Sequence, residues 1–275
     1  MPLPLIIGAA AAVAIGAKSA KELISNKKTS KIKEANDLIE SSNRIHKKNI
    51  RKLEEKNKIT LEKIEKLEKK ELLIMESFEK FSNLFKKIKN KPEFVAYSRE
   101  EIKIPKFNFQ ELEQSSMGIG GKLLLGGAVI SLGAVGALIH FLAGEILLDK
   151  ADDAWYEMKK AEKEINKICL YLDDLGDTSD KFYNALCSIN GIYNTHLNFL
   201  NRTVNTLNKT NWNDFTQLER DRTENTVLIV SVLYNMLKTK LVLKSNNEKE
   251  LNKINKKEVD KVISDSKNAL NGRLI

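Results

Sequence analysis

The side chains able to do chemistry are few, and their spacing does not assemble a catalytic group. The 275-residue chain holds three histidines, His46, His140 and His196, and two cysteines, Cys169 and Cys187. The histidines fall on three separate segments, so local sequence forms neither a triad nor a metal site. The two thiols lie 18 positions apart, with no second Cys or His pair at zinc spacing. They read as buried free thiols on apolar helix faces. Ser116-Met117-Gly118-Ile119-Gly120-Gly121-Lys122 has the look of a phosphate loop. That pattern requires Gly where Ser116 stands and Ser or Thr where Leu123 stands, and it requires a preceding strand. The acidic pairs Asp152-Asp153 and Asp173-Asp174 sit at predicted helix ends as solvated charges. The sequence therefore predicts a protein that is not an enzyme, with no cofactor and no metal.

The segment with the clearest physical consequence is residues 117–148, MGIGGKLLLGGAVISLGAVGALIHFLAGEILL. Eight of the chain's 13 glycines lie between Gly118 and Gly144, and the 22 residues from Leu123 to Gly144 carry no Asp, Glu, Lys or Arg. As a helix that run would span about 33 Å, enough for one bilayer crossing. Each Gly in a water-exposed helix costs about 1 kcal/mol against Ala, whereas close-packed membrane helices use small residues as flat contact faces. Leu123, Leu124, Leu125, Val129, Ile130, Leu132, Val135, Leu138, Ile139, Phe141 and Leu142 are the candidate lipid-inserting side chains. Gly126, Gly127, Gly133 and Gly136 are the candidate helix–helix contacts. The run fits a single crossing or a hairpin turning near Gly133–Gly136; a buried Gly-rich helix pair is the bland reading. His140 within it is either a packing residue or a proton-sensitive switch.

The remaining elements must position that segment. Residues 1–17 begin with an apolar run, Leu3–Ala17, spanning about 20 Å as a helix, too short to cross. It reads as an interfacial anchor, a buried helix end or a cleaved signal; its positive charge follows the run rather than preceding it. Residues 18–91 read as one long amphipathic helix. Ile50, Leu53, Asn57, Thr60, Ile64, Leu67, Glu71, Ile74, Phe78, Phe81, Phe85 and Ile88 alternate steps of three and four, which is a heptad seam. Such a narrow stripe calls for one or two partner helices, and Asn57 is a candidate register residue. Pro92 is predicted to end this helix. Residues 92–116 form a connector whose Phe94, Tyr97, Phe107 and Phe109 pack on a neighbour.

Residues 149–275 read as a helical bundle. A second seam runs from Ala154 to Leu175, broken at Gly176, with Asp177-Thr178-Ser179 capping the next helix. Asn211–Asp214 offers another turn and cap. Val227–Leu237 is nearly all apolar and too short to cross a bilayer, so it is the core-most helix. Ser245–Asn247 marks a turn, and 248–271 a final amphipathic helix. No sheet is expected, and short connections favour antiparallel neighbours.

Net charge is +9 and uneven: residues 18–106 hold 25 Lys/Arg against 15 Asp/Glu. That basic helix suits anionic lipid or is a solvated face. Nucleic acid is disfavoured, because aromatics do not interleave with the basic residues and no binding module is recognisable.

The order of elements — long amphipathic helix, Gly-rich apolar segment, further amphipathic helices — resembles the α-helical pore-forming toxins of the cytolysin A and haemolysin BL type. The resemblance covers most of the chain as a layout; the apolar Leu3–Ala17 start departs from it. It implies a rod-like bundle that shields an apolar segment and then inserts it. The small-apolar start, charged coiled coil and Gly-rich middle are also similar to bacterial membrane-associated proteins that accompany dynamin-like GTPases. The expectation is an all-α, elongated bundle or coiled coil with a central Gly-rich membrane-interacting segment, membrane-associated and bacterial, with a soluble pre-insertion form allowed. Its partners are a lipid membrane and either further copies of itself or a helical protein. The function is insertion or oligomerisation through 117–148, extending to bilayer permeabilisation. The alternatives are a membrane-anchored coiled-coil scaffold and a soluble helical interaction bundle. If both apolar runs cross, Lys18 onward lies inside and 149–275 outside; if 117–148 is a hairpin, both halves share a side.

Overall fold

Apolar residues at three-four spacing put a stripe along one side of a helix, and that stripe is stable only when covered. The computed structural model describes residues 26–92, 94, 151–243 and 251–271. Within them helix α1 (Asn26–Lys86) lies along helix α2 (Ala151–Asn201). Helix α2 runs on through a π turn, Arg202–Thr206. A short 3-10 turn, Trp212–Asp214, leads into α3 (Gln217–Leu237), and α4 (Lys256–Leu270) closes the order. The described residues are almost wholly helical. The exception to the expectation of no sheet is a two-residue antiparallel ladder, β1 (Val242–Leu243) with β2 (Lys253–Ile254). It takes residues 253–255 out of the predicted last helix.

Helices α1 and α2 run parallel. Lys56 meets Asp173, Lys63 meets Asp180, Tyr193 meets Ser77, and Lys89 meets Asn211, so both sequences advance together. This corrects the antiparallel expectation. Parallel neighbours need a connection long enough to return along the pair, and 56 residues lie between Phe94 and Ala151. Helix α3 then folds back antiparallel on α2, with Arg222 beside His196 and Phe199. Helix α4 runs parallel to α2, through Lys256–Asp174 and Lys181–Asp260.

Gly176 does not break α2. An added Cβ there would sit 3.2 Å from Lys63 Cδ, so the glycine marks a close approach of the two long helices. Thr178, predicted as part of a cap, donates to Asp174 O within the helix, and Ser179 donates to Lys63 O across the interface. Asp173 and Asp174 accordingly lie mid-helix and pair with Lys56 and Lys256 rather than standing as helix-end charges.

α1 ends before Pro92. Lys89 N donates to Thr210 O and Trp212 N donates to Lys89 O, joining the ends of α1 and α2 through a parallel bridge. Asn90 and Asn208 take φ of 55° and 53°, the left-handed conformation that Asn tolerates where a helix stops. Phe94 packs on Phe85 and Trp212, and Trp212 on Phe215. The predicted turn and cap at Asn211–Asp214 is present, with the Asn211 side chain accepting from Asn213 N, and the cap of α3 itself is Thr216, two residues beyond it. Its hydroxyl accepts from Glu219 N while the Glu219 carboxylate accepts from Thr216 N.

The result is a rod in two parts. One end is a four-helix head, whose core joins Ile74, Phe78, Phe81, Phe182, Tyr193, Leu233 and Val259. Val227–Leu237 of α3 is its innermost stretch, nearly every residue buried. Toward the N-terminal ends of α1 and α2 the rod narrows to a stem, where Leu53, Ile165, Ile168, Cys169 and Leu172 form a smaller cluster.

Candidate functional site

The lipid-inserting candidates from Leu123 to Leu142 and the contact glycines Gly126, Gly127, Gly133 and Gly136 lie outside the described residues, as do Leu3–Ala17, His140, Tyr97, Phe107 and Phe109. Among the described residues no helix is long and apolar enough to cross a membrane, and no cluster of His, Cys, Asp and Glu is arranged to hold a metal ion.

The seam residues are placed in full. Leu53, Thr60, Ile64, Leu67, Glu71, Ile74, Phe78, Phe81, Phe85 and Ile88 are buried, and Ile50 and Asn57 are half-buried. They face the buried row Met158, Ala161, Ile165, Ile168, Leu172, Leu175, Ser179, Phe182, Leu186, Ile189 and Tyr193 of α2. Polar links fix the register along this interface. Thr60 Oγ1 donates to Leu172 O at 3.1 Å, Lys63 Nζ lies 2.8 Å from Asp180, and Tyr193 OH donates to Ser77 O at 3.0 Å. The bond to Asp180 holds the Lys63 ammonium above its ordinary pKa. Asn57 Oδ1 is buried without a hydrogen-bond donor among the described residues.

The interface holds one carboxyl in an apolar setting. Glu71 is 7% exposed between Leu67 and Ile74, and the α1–α2 register sets it level with the stretch from Cys187 to Ile189. Burial, with a smaller push from Glu68, raises its pKa to about 8. Glu68, half out of water on the same helix, is raised as well. Elsewhere the buried carboxylate is partnered. Burial works to raise the Glu219 pKa, but its bonds to Lys209 and Thr216 outweigh that and lower it. Burial also pushes the His196 imidazole down.

Two features went unnoticed in the sequence. Trp155 and Tyr156 are exposed near the start of α2, 37% and 69%, with Lys159 Nζ 5.0 Å from the Trp155 ring centroid. Their signal is an aromatic pair eleven residues after the uncharged run that ends at Gly144. The shared direction of α1 and α2 had no signal, because periodicity carries no polarity. No family model, no curated protein and no solved structure matches the chain.

Proposed function

We propose that this is a non-enzymatic, membrane-associated helical protein that inserts or oligomerises through residues 117–148, and that assembly of those segments permeabilises the bilayer. The observation that supports the reading is the 22-residue run from Leu123 to Gly144 without a charged side chain and with repeated small faces. The packing of α1 on α2 bears on how the segment meets lipid. Two helices that cover one another along most of α2 occupy the same side of a membrane. A single crossing by 117–148 would separate them, so of the two forms of insertion we favour the hairpin while α1 and α2 stay packed.

The scaffold reading is weaker, because the surface it requires is occupied. The 50–88 seam, offered there as the recruiting face, is buried against α2.

The test is flotation of the full chain with liposomes, read together with release of an entrapped dye. The wild type should float and release dye. Replacing Gly133 and Gly136 by Leu should abolish release while leaving the helical circular dichroism signal unchanged. Release unaffected by that double change removes the proposed role of the glycine faces, and a chain that neither floats nor releases dye removes the membrane reading.

A further inference from the structure

Because α1 and α2 run parallel, they bring two distant pieces of sequence to one place. Paired residues on the two helices are offset by 116 to 118 positions, which sets Ala151 level with the early turns of α1. Ala17, the end of the first apolar run, precedes Asn26 by nine residues; Leu148, the end of the second, precedes Ala151 by three. Both apolar runs therefore join in sequence the N-terminal ends of α1 and α2, which lie together at the stem end. The head begins near Asp174, about 35 Å from Ala151 along α2, and continues to the far end of that helix, about 75 Å away.

The residues at the stem end suit a bilayer surface. Trp155 and Tyr156 stand in the second turn of α2 with their rings toward water, and such amphipathic rings favour the headgroup layer. The stretch leading into α1 carries Lys18, Lys21, Lys27, Lys28, Lys31 and Lys33 against Glu22 and Glu34. The first turn of α1 has no acidic residue, so its N-terminal dipole and its lysines both favour an anionic surface. The start of α2 is acidic, with Asp152 and Asp153, so the attraction to anionic lipid belongs to α1. Other exposed apolar side chains, among them Ile59, the adjacent Leu72 and Leu73, Leu170, Leu207 and Leu218, are scattered along the rod and need no such account.

We infer that the stem end is the membrane-facing tip, that Trp155 and Tyr156 seat in the headgroup layer of an anionic bilayer, and that the four-helix head stands off from it. The inference rests on the membrane reading above and adds which end of the rod docks and through which side chains. It gives the two tryptophans of the chain opposite environments: Trp155 at the lipid surface, Trp212 in the head core at 7% exposure.

The experiment uses the full chain with vesicles of phosphatidylcholine and phosphatidylglycerol, with and without bromine on the upper acyl carbons. Flotation is scored first and tryptophan quenching second. The variant W212F, which keeps Trp155, should lose roughly half its emission on brominated vesicles, and W155F, which keeps Trp212, should lose almost none. Because W212F alters the core, a second variant carries the same test on exposed positions. W155D with Y156D should fold as the wild type does and bind the vesicles about tenfold more weakly, about 1.4 kcal/mol. Flotation with Trp212 quenched, with neither tryptophan quenched, or with the double-aspartate variant binding normally overturns the assignment of the tip and leaves the membrane reading standing. Absence of flotation overturns both.

Discussion

Glu71 gives the sharpest quantitative expectation. Its carboxyl ionises near 4.5 in an open chain and at about 8 within the α1–α2 interface. The folded protein therefore holds a proton that the unfolded chain releases. Below pH 4.5 both states are protonated and ionisation adds no cost. Between pH 4.5 and 8 folding takes up a proton, and stability falls by ~1.4 kcal/mol per pH unit. At pH 7 the accumulated cost is about 3 kcal/mol, and above pH 8 it levels at about 5 kcal/mol. Glu71→Leu removes the titration and leaves an apolar side chain between Leu67 and Ile74. It should stabilise the chain at pH 7 by about 3 kcal/mol, which for a protein of this size raises Tm by roughly 6–12 °C. Glu71→Gln removes the charge but leaves an amide without a partner, and should recover only about 1–2 kcal/mol. Urea melts followed at 222 nm at pH 5, 7 and 9 measure both. The wild-type deficit relative to Glu71→Leu should grow as pH rises and fade toward pH 5. A deficit that does not change over that range, or a leucine variant less stable than wild type at pH 7, refutes the placement of the carboxyl in an apolar interface.

The remaining expectations concern the helices that hold this interface. Gly191 sits within α2 with open space where a Cβ would go, so Gly191→Ala should stabilise by ~0.5–1 kcal/mol in the same melts. Gly176→Leu, which must displace the Lys63 side chain, should destabilise by about 1–3 kcal/mol. Thr216→Ala removes the hydroxyl arm of the α3 capping box, leaving the bond from the residue 216 backbone N to Glu219, and should cost about 1 kcal/mol, seen as earlier thermal unfolding. Lys209→Met leaves the Glu219 carboxylate, 8% exposed, with only its Thr216 partners. It should cost about 2 kcal/mol at pH 7 and progressively less as pH falls through the carboxylate range, since the ion pair stabilises only the ionised form.

What could be read from sequence followed from the strength of local pattern. The stripe from Leu53 to Phe85 repeats often enough that the buried side of α1 is visible without coordinates, and the apolar block Val227–Leu237 marks the centre of the head in the same way. Gly176 misled because Gly followed by Asp-Thr-Ser is the local grammar of a helix stop and restart. The contrary signal was the unbroken three-four step from Leu175 to Ser179 to Phe182, legible only when Ser is admitted to the stripe. The end of α1 was placed late because Pro92 looked decisive, while the bridge from Lys89 to Asn211 depends on a residue over 120 positions away. Glu71 was visible as a polar interruption, but its proton affinity depends on what α2 sets against it. The ladder of two residues on each side is below the length at which alternation can be detected.

The parallel pairing also sets how the chain meets itself during synthesis. Phe78 leaves the ribosome 115 residues before Tyr193, the α2 residue whose ring packs on it. At a translation rate of ~5–20 residues per second, the stripe of α1 waits on the order of 5 to 20 seconds for its cover. Through that interval Phe78, Phe81 and Phe85 are nascent-chain surface. A trigger-factor-like holdase, or premature pairing with a neighbouring nascent chain, competes with the native partner there. Yield in a cell should therefore depend on translation speed and chaperone supply more steeply than the stability of the finished rod would suggest.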